Sequence, residues 1–240
     1  MIKRFSVLMI LVLLSAYFSF GQSKKSEMSI EESYLQEAME LMIIRETSRS
    51  DSREQKLIAI EHIANALERG STNDELRSTL EYLSLEGTIN RVSHGKRLMN
   101  NYPEVRREAA KYLGMVGTKE AKTALIRICT SDSEPMVLQE AIKSLGDIGI
   151  NDNDDTINAV VWVANKYNNS DAPDNILALV AVDTLDRLCE KLQKAEPNIL
   201  EIFIKIMEGP YAPPVKERAK QAFLNVRKTA YKNQQEEDNS

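Results

Sequence analysis

Composition and periodicity predict an all-α protein, a right-handed α-solenoid of stacked helix pairs. Three observations carry this expectation. The 240 residues hold only 9 Gly and 7 Pro, whereas strand-rich sandwiches and barrels need many turn formers. The segments 103–117 and 135–149 align at an offset of 32 residues. Weaker copies extend the alignment in both directions at spacings of 38 to 50 residues, as expected of an array of helix pairs.

The N-terminal segment is predicted to lie outside the fold. Lys3 and Arg4 form a basic start and Phe5 to Phe20 an apolar run of about 16 residues, short of the roughly 20 that span a bilayer. Ser19 and Gly21 are small residues that suit a signal-peptidase cut before Gln22. Residues 1–21 are therefore read as a signal peptide. The alternative is an uncleaved anchor. No cysteine lies near the cut, which excludes a lipoprotein. The expected location is periplasmic or secreted, with no membrane insertion after cleavage. The formal charge is −5, from 31 Lys+Arg against 36 Asp+Glu, and loss of Lys3 and Arg4 lowers it by two to −7. That balance argues against nucleic acid and anionic membranes as main partners.

Residues 22–50 are expected to hold a helix capping the open end of the array. Ser29 and Glu32 have capping-box spacing, and Ile30, Leu35, Met39 and Met42 fall roughly on one face. The solenoid is expected over 51–231, with helix pairs near 52–86, 103–131, 135–169 and 173–208 and a terminal helix at 213–231. In the two strongest copies Pro103 and Pro135 stand where a missing N–H is no loss. Val105, Ala109 and Leu113, then Val137, Ala141 and Leu145, form one apolar stripe each. Gly114 and Gly146 fall inside the last turn, which predicts a close helix contact, and Gly117 and Gly149 suit the left-handed position that ends a helix. Ala181, Ala219 and, upstream, Ala59 repeat the central alanine at offsets of 40, 38 and 50. The insertion 87–102 accounts for the last spacing. The polar tail 232–240 is expected to be disordered.

Cys129 and Cys189 both sit in apolar helical stretches and read as small buried hydrophobes. About two units separate them, beyond the span of a disulfide, so two free thiols are expected even in an oxidising compartment.

The pattern V-R-x-x-A-A-x-x-L-G-x-(V/I)-G, with Pro two residues ahead of the Val, resembles the HEAT repeat, an armadillo-like helical repeat. It is similar to the short bacterial variety known from phycobilisome-lyase-like HEAT proteins. The resemblance covers about 50–231 and is specific for 103–149. It implies a curved stack with first helices on the convex side and second helices lining the concave side, and an activity of binding another protein. The lyase association does not transfer, because nothing in the chain carries that chemistry.

A search for reactive groups finds no His-Glu-x-x-His, P-loop, Gly-x-Ser-x-Gly or Cys-x-x-Cys. Ser93 and His94 are sequence neighbours in a loop, and His62 reads as a partly buried imidazole. No enzyme, cofactor or metal site is expected. The acidic loop Asn151–Asp155 lacks the Gly and distal Glu of a calcium loop and is better explained as a turn and helix cap. In the insertion, Arg91, His94, Lys96 and Arg97 could contact an anion or an acidic peptide, or simply be solvated. Trp162 is the most informative residue. Ile157, Val160, Val161, Ala164 and Tyr167 share the core face of its helix, and Trp162 points away with Asp155, Asn158, Asn165, Lys166 and Asn169. It could anchor an interface or pack on a neighbouring helix. Lys122 on one side and Glu201 and Lys205 on the other would complete the surface.

The expected function is therefore a non-catalytic protein–protein interaction scaffold of the periplasm or cell envelope, using the row of second helices around Trp162. The alternatives are a ligand- or calcium-binding envelope protein acting through 87–102 or 151–155, and a self-associating structural component.

Overall fold

The computed structural model describes residues 30–168 and 173–238. The leader 1–21, Ser29 of the capping box and Asn169 lie outside the described residues. The chain divides into two units, Met1–Glu40 and Leu41–Ser240. Helix α1 (Ile30–Arg49) begins in the first unit and ends in the second. The second unit holds α2 (Arg53–Glu68) and α3 (Asp74–Ser84), a short hairpin of β1 (Ser93–His94) and β2 (Arg97–Leu98), then α4 (Pro103–Val116), α5 (Lys119–Ser131), α6 (Pro135–Ile148), α7 (Asp155–Asn168), α8 (Asn175–Leu192), α9 (Pro197–Glu208) and α10 (Pro213–Asp238). The fold is thus a helical solenoid of helix pairs.

Local chemistry explains the element boundaries. Prolines open α4, α6, α9 and α10. Ser52, Asn73, Thr118 and Asp174 cap α2, α3, α5 and α8, each side-chain oxygen accepting from a backbone N–H of the first turn. Gly117 and Gly149 end α4 and α6 at φ of 68° and 65°, the left-handed region in which a β-carbon is costly.

The first helices of successive pairs, α2, α4, α6, α8 and α10, pack in one row, and α3, α5, α7 and α9 in the other. Ala59, Ala109, Ala141, Ala181 and Ala219 occupy the same position in each first helix, and all five are fully buried. Small side chains bring these helices close together. A β-carbon built on Gly114 would stand 2.7 Å from Ser144 Cβ, and one on Gly146 would stand 2.9 Å from Thr184 Cγ2. Leu113, Leu145 and Leu185 fill the core beside them.

Three expectations need correction. The stripe ending at Met42 is not the face that packs within the second unit: Met42 is 69% exposed, and Ile44 and Ser48, on another side of α1, are buried instead. The choice is made by partners on α2 and α3, where Lys56 Nζ donates to Ser48 O and Arg45 pairs with Glu75. Ser93 and His94, expected in a loop, form strand β1 of the β1–β2 hairpin. The tail predicted as disordered, 232–240, is helical as far as Asp238. Its Lys, Gln and Glu residues are good helix formers, and the helix propagates from a first stretch anchored by Val215, Ala219, Ala222 and Val226.

Cys129 and Cys189 are free and buried. Burial pushes both thiols up to about 12, helped at Cys189 by Asp186 and Glu196. Neither should react with iodoacetamide in the native protein at neutral pH, and both should react, without prior reduction, once it is unfolded. Intact mass spectrometry of the two samples checks this. Gly114→Ala should lower stability by about 1–3 kcal/mol despite the better helix propensity of alanine, because the new methyl meets Ser144. Urea unfolding measures the change.

Candidate protein-binding surface

The exposed side of the second-helix row is built from short periodic helices whose inner faces are consumed by the core. On α7, Ile157, Val160, Val163, Val161 and Ala164 are buried and Tyr167 is half-buried. A helix has only one such stripe, so Trp162 is turned outward and is 43% exposed. The Lys166 ammonium sits 5.0 Å from the Trp162 ring centroid and 5.5 Å from that of Tyr167. A cation held over the ring restricts its rotamers and leaves a large apolar surface beside a charge.

Asn158 and Asn165 flank the tryptophan and tie α7 to α9. Lys205 Nζ donates to Asn165 Oδ1 at 3.0 Å and pairs with Glu201 at 2.7 Å, and Asn198 Nδ2 donates to Asn158 Oδ1 at 3.4 Å. The residues singled out on α7 and α9 therefore do come together. Ile204 of α9 and Tyr82 of α3 are also exposed apolar residues on this row, and sequence reasoning passed over both. Ile204 was legible, because Ile199, Ile202, Phe203 and Ile206 define the buried face of α9 and Ile204 falls outside it.

Lys122 does not belong to this surface. It is buried, with Nζ 2.6 Å from Asp155 Oδ2 and 3.5 Å from Asp152 Oδ2. Its charge predicts a surface position, but it shares the helix edge of the buried Leu125 and Cys129, and the acidic start of α7 lies over it and takes up its charge. The same contact bears on the calcium alternative. Asp152 faces Lys119 and Lys122, Asp154 faces Lys194, and Asp155 faces Lys122. Lys119 and Lys194 hold the Asp152 and Asp154 carboxyls below their usual range. No group of three or more His, Cys, Asp or Glu among the described residues is arranged to hold a metal ion.

A second feature was not foreseen. Four charged side chains, Lys56, Glu86, Arg106 and Asp132, are almost completely buried around the base of the insertion. Lys56 Nζ lies 2.8 Å from Glu86 Oε1. Arg106 grips the Asp132 carboxylate through Nε and Nη2 at 2.6 and 3.3 Å, and its Nη1 donates to Asn101 Oδ1 and to Glu86 O. Asp132 Oδ1 also accepts from the backbone N–H of Ser133 and Glu134. Asn100, buried as well, donates to Glu86 Oε1 and Asn90 O and accepts from Val92 N. The cluster joins α2, α4, the end of α5 and the hairpin. The hairpin itself leaves Arg91, His94, Lys96 and Arg97 exposed. On the first-helix row, a shallow groove of about 280 Å³ is lined by Lys143, Asp183, Arg187 and Arg218. Its cations are neutralised by Glu140, Asp147, Asp183 and Asp186.

Comparison with known proteins agrees with this architecture. Residues 95–172, about a third of the chain, match the family model for HEAT repeats. No match was found among curated proteins. A solved structure described as "Computational Design of Self-Assembling Cyclic Protein Homooligomers" aligns at 17% identity over 83% of this chain, with a TM-score of 0.18. The chain spans 59% of that structure's length.

Arg106→Met should cost about 3–5 kcal/mol, because it leaves Asp132 buried without its partner. Adding Asp132→Asn should recover part of the loss, since the amide oxygen still accepts from Ser133 and Glu134. Chemical denaturation of the two variants against wild type measures both effects.

Proposed function

We propose that the chain is an exported, non-catalytic HEAT-repeat scaffold of the short bacterial, phycobilisome-lyase-like kind, binding another protein in the periplasm or cell envelope through its second-helix row. HEAT repeats generally serve as protein-interaction scaffolds without enzymatic activity. The observation that carries the choice of surface is Trp162, a large aromatic exposed on α7, steadied by Lys166 and flanked by the Asn158, Asn165, Glu201 and Lys205 ladder. Half-exposed aromatics in an ordered polar frame are the side chains that dominate interfaces. No helix among the described residues is long and apolar enough to cross a membrane, and the signal-like start of the sequence supports export.

A pull-down from the native cell envelope, with wild type and Trp162→Ala side by side, tests the surface. The variant should melt within about 1 kcal/mol of wild type, as surface substitutions do, and should lose its partner by about 2 kcal/mol or more. Leu145→Ala serves as the packing control and should cost about 2–5 kcal/mol. A Trp162→Ala protein that melts as early as the leucine variant, or that still captures the partner fully, removes the centre of the surface. Mass spectrometry of the mature protein tests export separately, with Gln22 as the expected first residue.

A further inference from the structure

The segment 87–102 contains Arg91, His94, Lys96 and Arg97 and not one Asp or Glu, in a chain whose net charge is −5. The segment therefore has one sign of charge along its length, with no carboxylate of its own to offset it. Elsewhere on the surface Arg45, Arg77, Arg127, Arg187 and Arg218 each hold a carboxylate within ion-pair distance. None lies within that distance of Arg91, Lys96 or Arg97 among the described residues.

The strand pairing sorts these side chains by face. Ser93 stands opposite Leu98 and His94 opposite Arg97, and Met99 N donates to Val92 O at 2.8 Å. Residues paired across an antiparallel ladder share a face and alternate along each strand. One face therefore carries Ser93 and Leu98, with Leu98 half-buried toward the body of the protein. The other face carries an apolar rung, Val92 and Met99, next to a polar rung of His94 and the Arg97 guanidinium. Val92 is 52% and Met99 47% exposed. Lys96 sits in the turn beside Arg97.

This hairpin is not free to collapse or reorient. Asn100 is buried at its base, and Gly87, at φ +73°, leaves no room for a β-carbon, which would collide with Asn100 O. The Lys56–Glu86 pair closes the same base. An isolated two-stranded hairpin is marginal in water, so this anchoring is what holds the exposed rungs in place before any partner arrives.

We propose that residues 87–102 form a preorganised cationic platform that takes up an acidic segment of a partner protein, with an aliphatic side chain of that segment seated on Val92 and Met99. Charge complementarity selects the occupant. An anionic bilayer would confront the whole negatively charged chain. A short acidic segment meets the hairpin alone, within a Debye length of about 8–10 Å. The platform is a surface separate from Trp162 and can act with or without it.

Fluorescence anisotropy with the full chain and a labelled peptide of glutamates interrupted by leucines tests the proposal. Saturable binding is expected that weakens with rising salt and falls roughly tenfold in Lys96→Glu/Arg97→Glu. Val92→Ser/Met99→Ser should weaken this peptide several-fold and leave an all-glutamate peptide unchanged. All of these substitutions are at exposed positions, and circular dichroism verifies that each variant is folded. Trp162→Ala should leave binding unchanged, so failure of the Trp162 surface and failure of the platform are read separately. Absence of saturable binding, binding that survives the charge reversal, or tighter binding to phosphatidylglycerol vesicles than to the peptide would each overturn the proposal.

Discussion

Close approach of the first helices is the constraint on which the remaining structure depends. At Gly114 against Ser144 and at Gly146 against Thr184 no space exists for an added methyl group, and the five buried alanines repeat the same economy of volume along the row. Interiors packed at this density tolerate little expansion. With the first row held tightly, each second helix has its apolar stripe committed to the core. What remains outside on α7 and α9 is then determined by exclusion, and this is how a tryptophan comes to face solvent beside a lysine.

The ion cluster of Lys56, Glu86, Arg106 and Asp132 answers a different problem. Two pairs and an inserted hairpin must be joined where the repeat spacing stretches to 50 residues. Apolar packing alone would leave the backbone polar groups of the insertion unpaired. Asn100 and Arg106 reach those groups directly, at Asn90 O, Val92 N and Glu86 O. Buried charges are costly to desolvate and give weak net stability, but here their geometry orients the hairpin. The two candidate surfaces thus differ in kind. The Trp162 surface follows from helix periodicity, and the hairpin platform from a buried polar anchor.

Charge placement supports the same division. Along the helices several basic side chains are met by carboxylates from neighbouring helix pairs, at sequence separations of 30 to 46 residues for Arg45–Glu75, Arg187–Asp147 and Arg127–Glu81. These exposed pairs contribute little stability each, yet they neutralise the helical surfaces. The hairpin is left as a basic patch, and the tryptophan as an apolar patch beside the single ammonium of Lys166.

Much of this architecture was legible in one dimension, for a simple reason. Prolines, caps, terminal glycines and the alanine repeat act over a few residues, and a helix face is defined by spacing alone, so the stack, its register and the outward direction of Trp162 follow from the chain itself. The exceptions all involve partners far away in sequence. Lys122 reads as a surface lysine until Asp152 and Asp155 fold over it, and Arg106 occupies a position that the repeat pattern marks only as basic until it meets Asp132. Met42 loses the buried face of α1 to Ile44 because α2 and α3 arrive on the other side. The hairpin is defined by Asn100 and a glycine contact rather than by strand propensity. In each case the deciding energy is the desolvation and pairing of groups brought together only by stacking, and no local pattern records it.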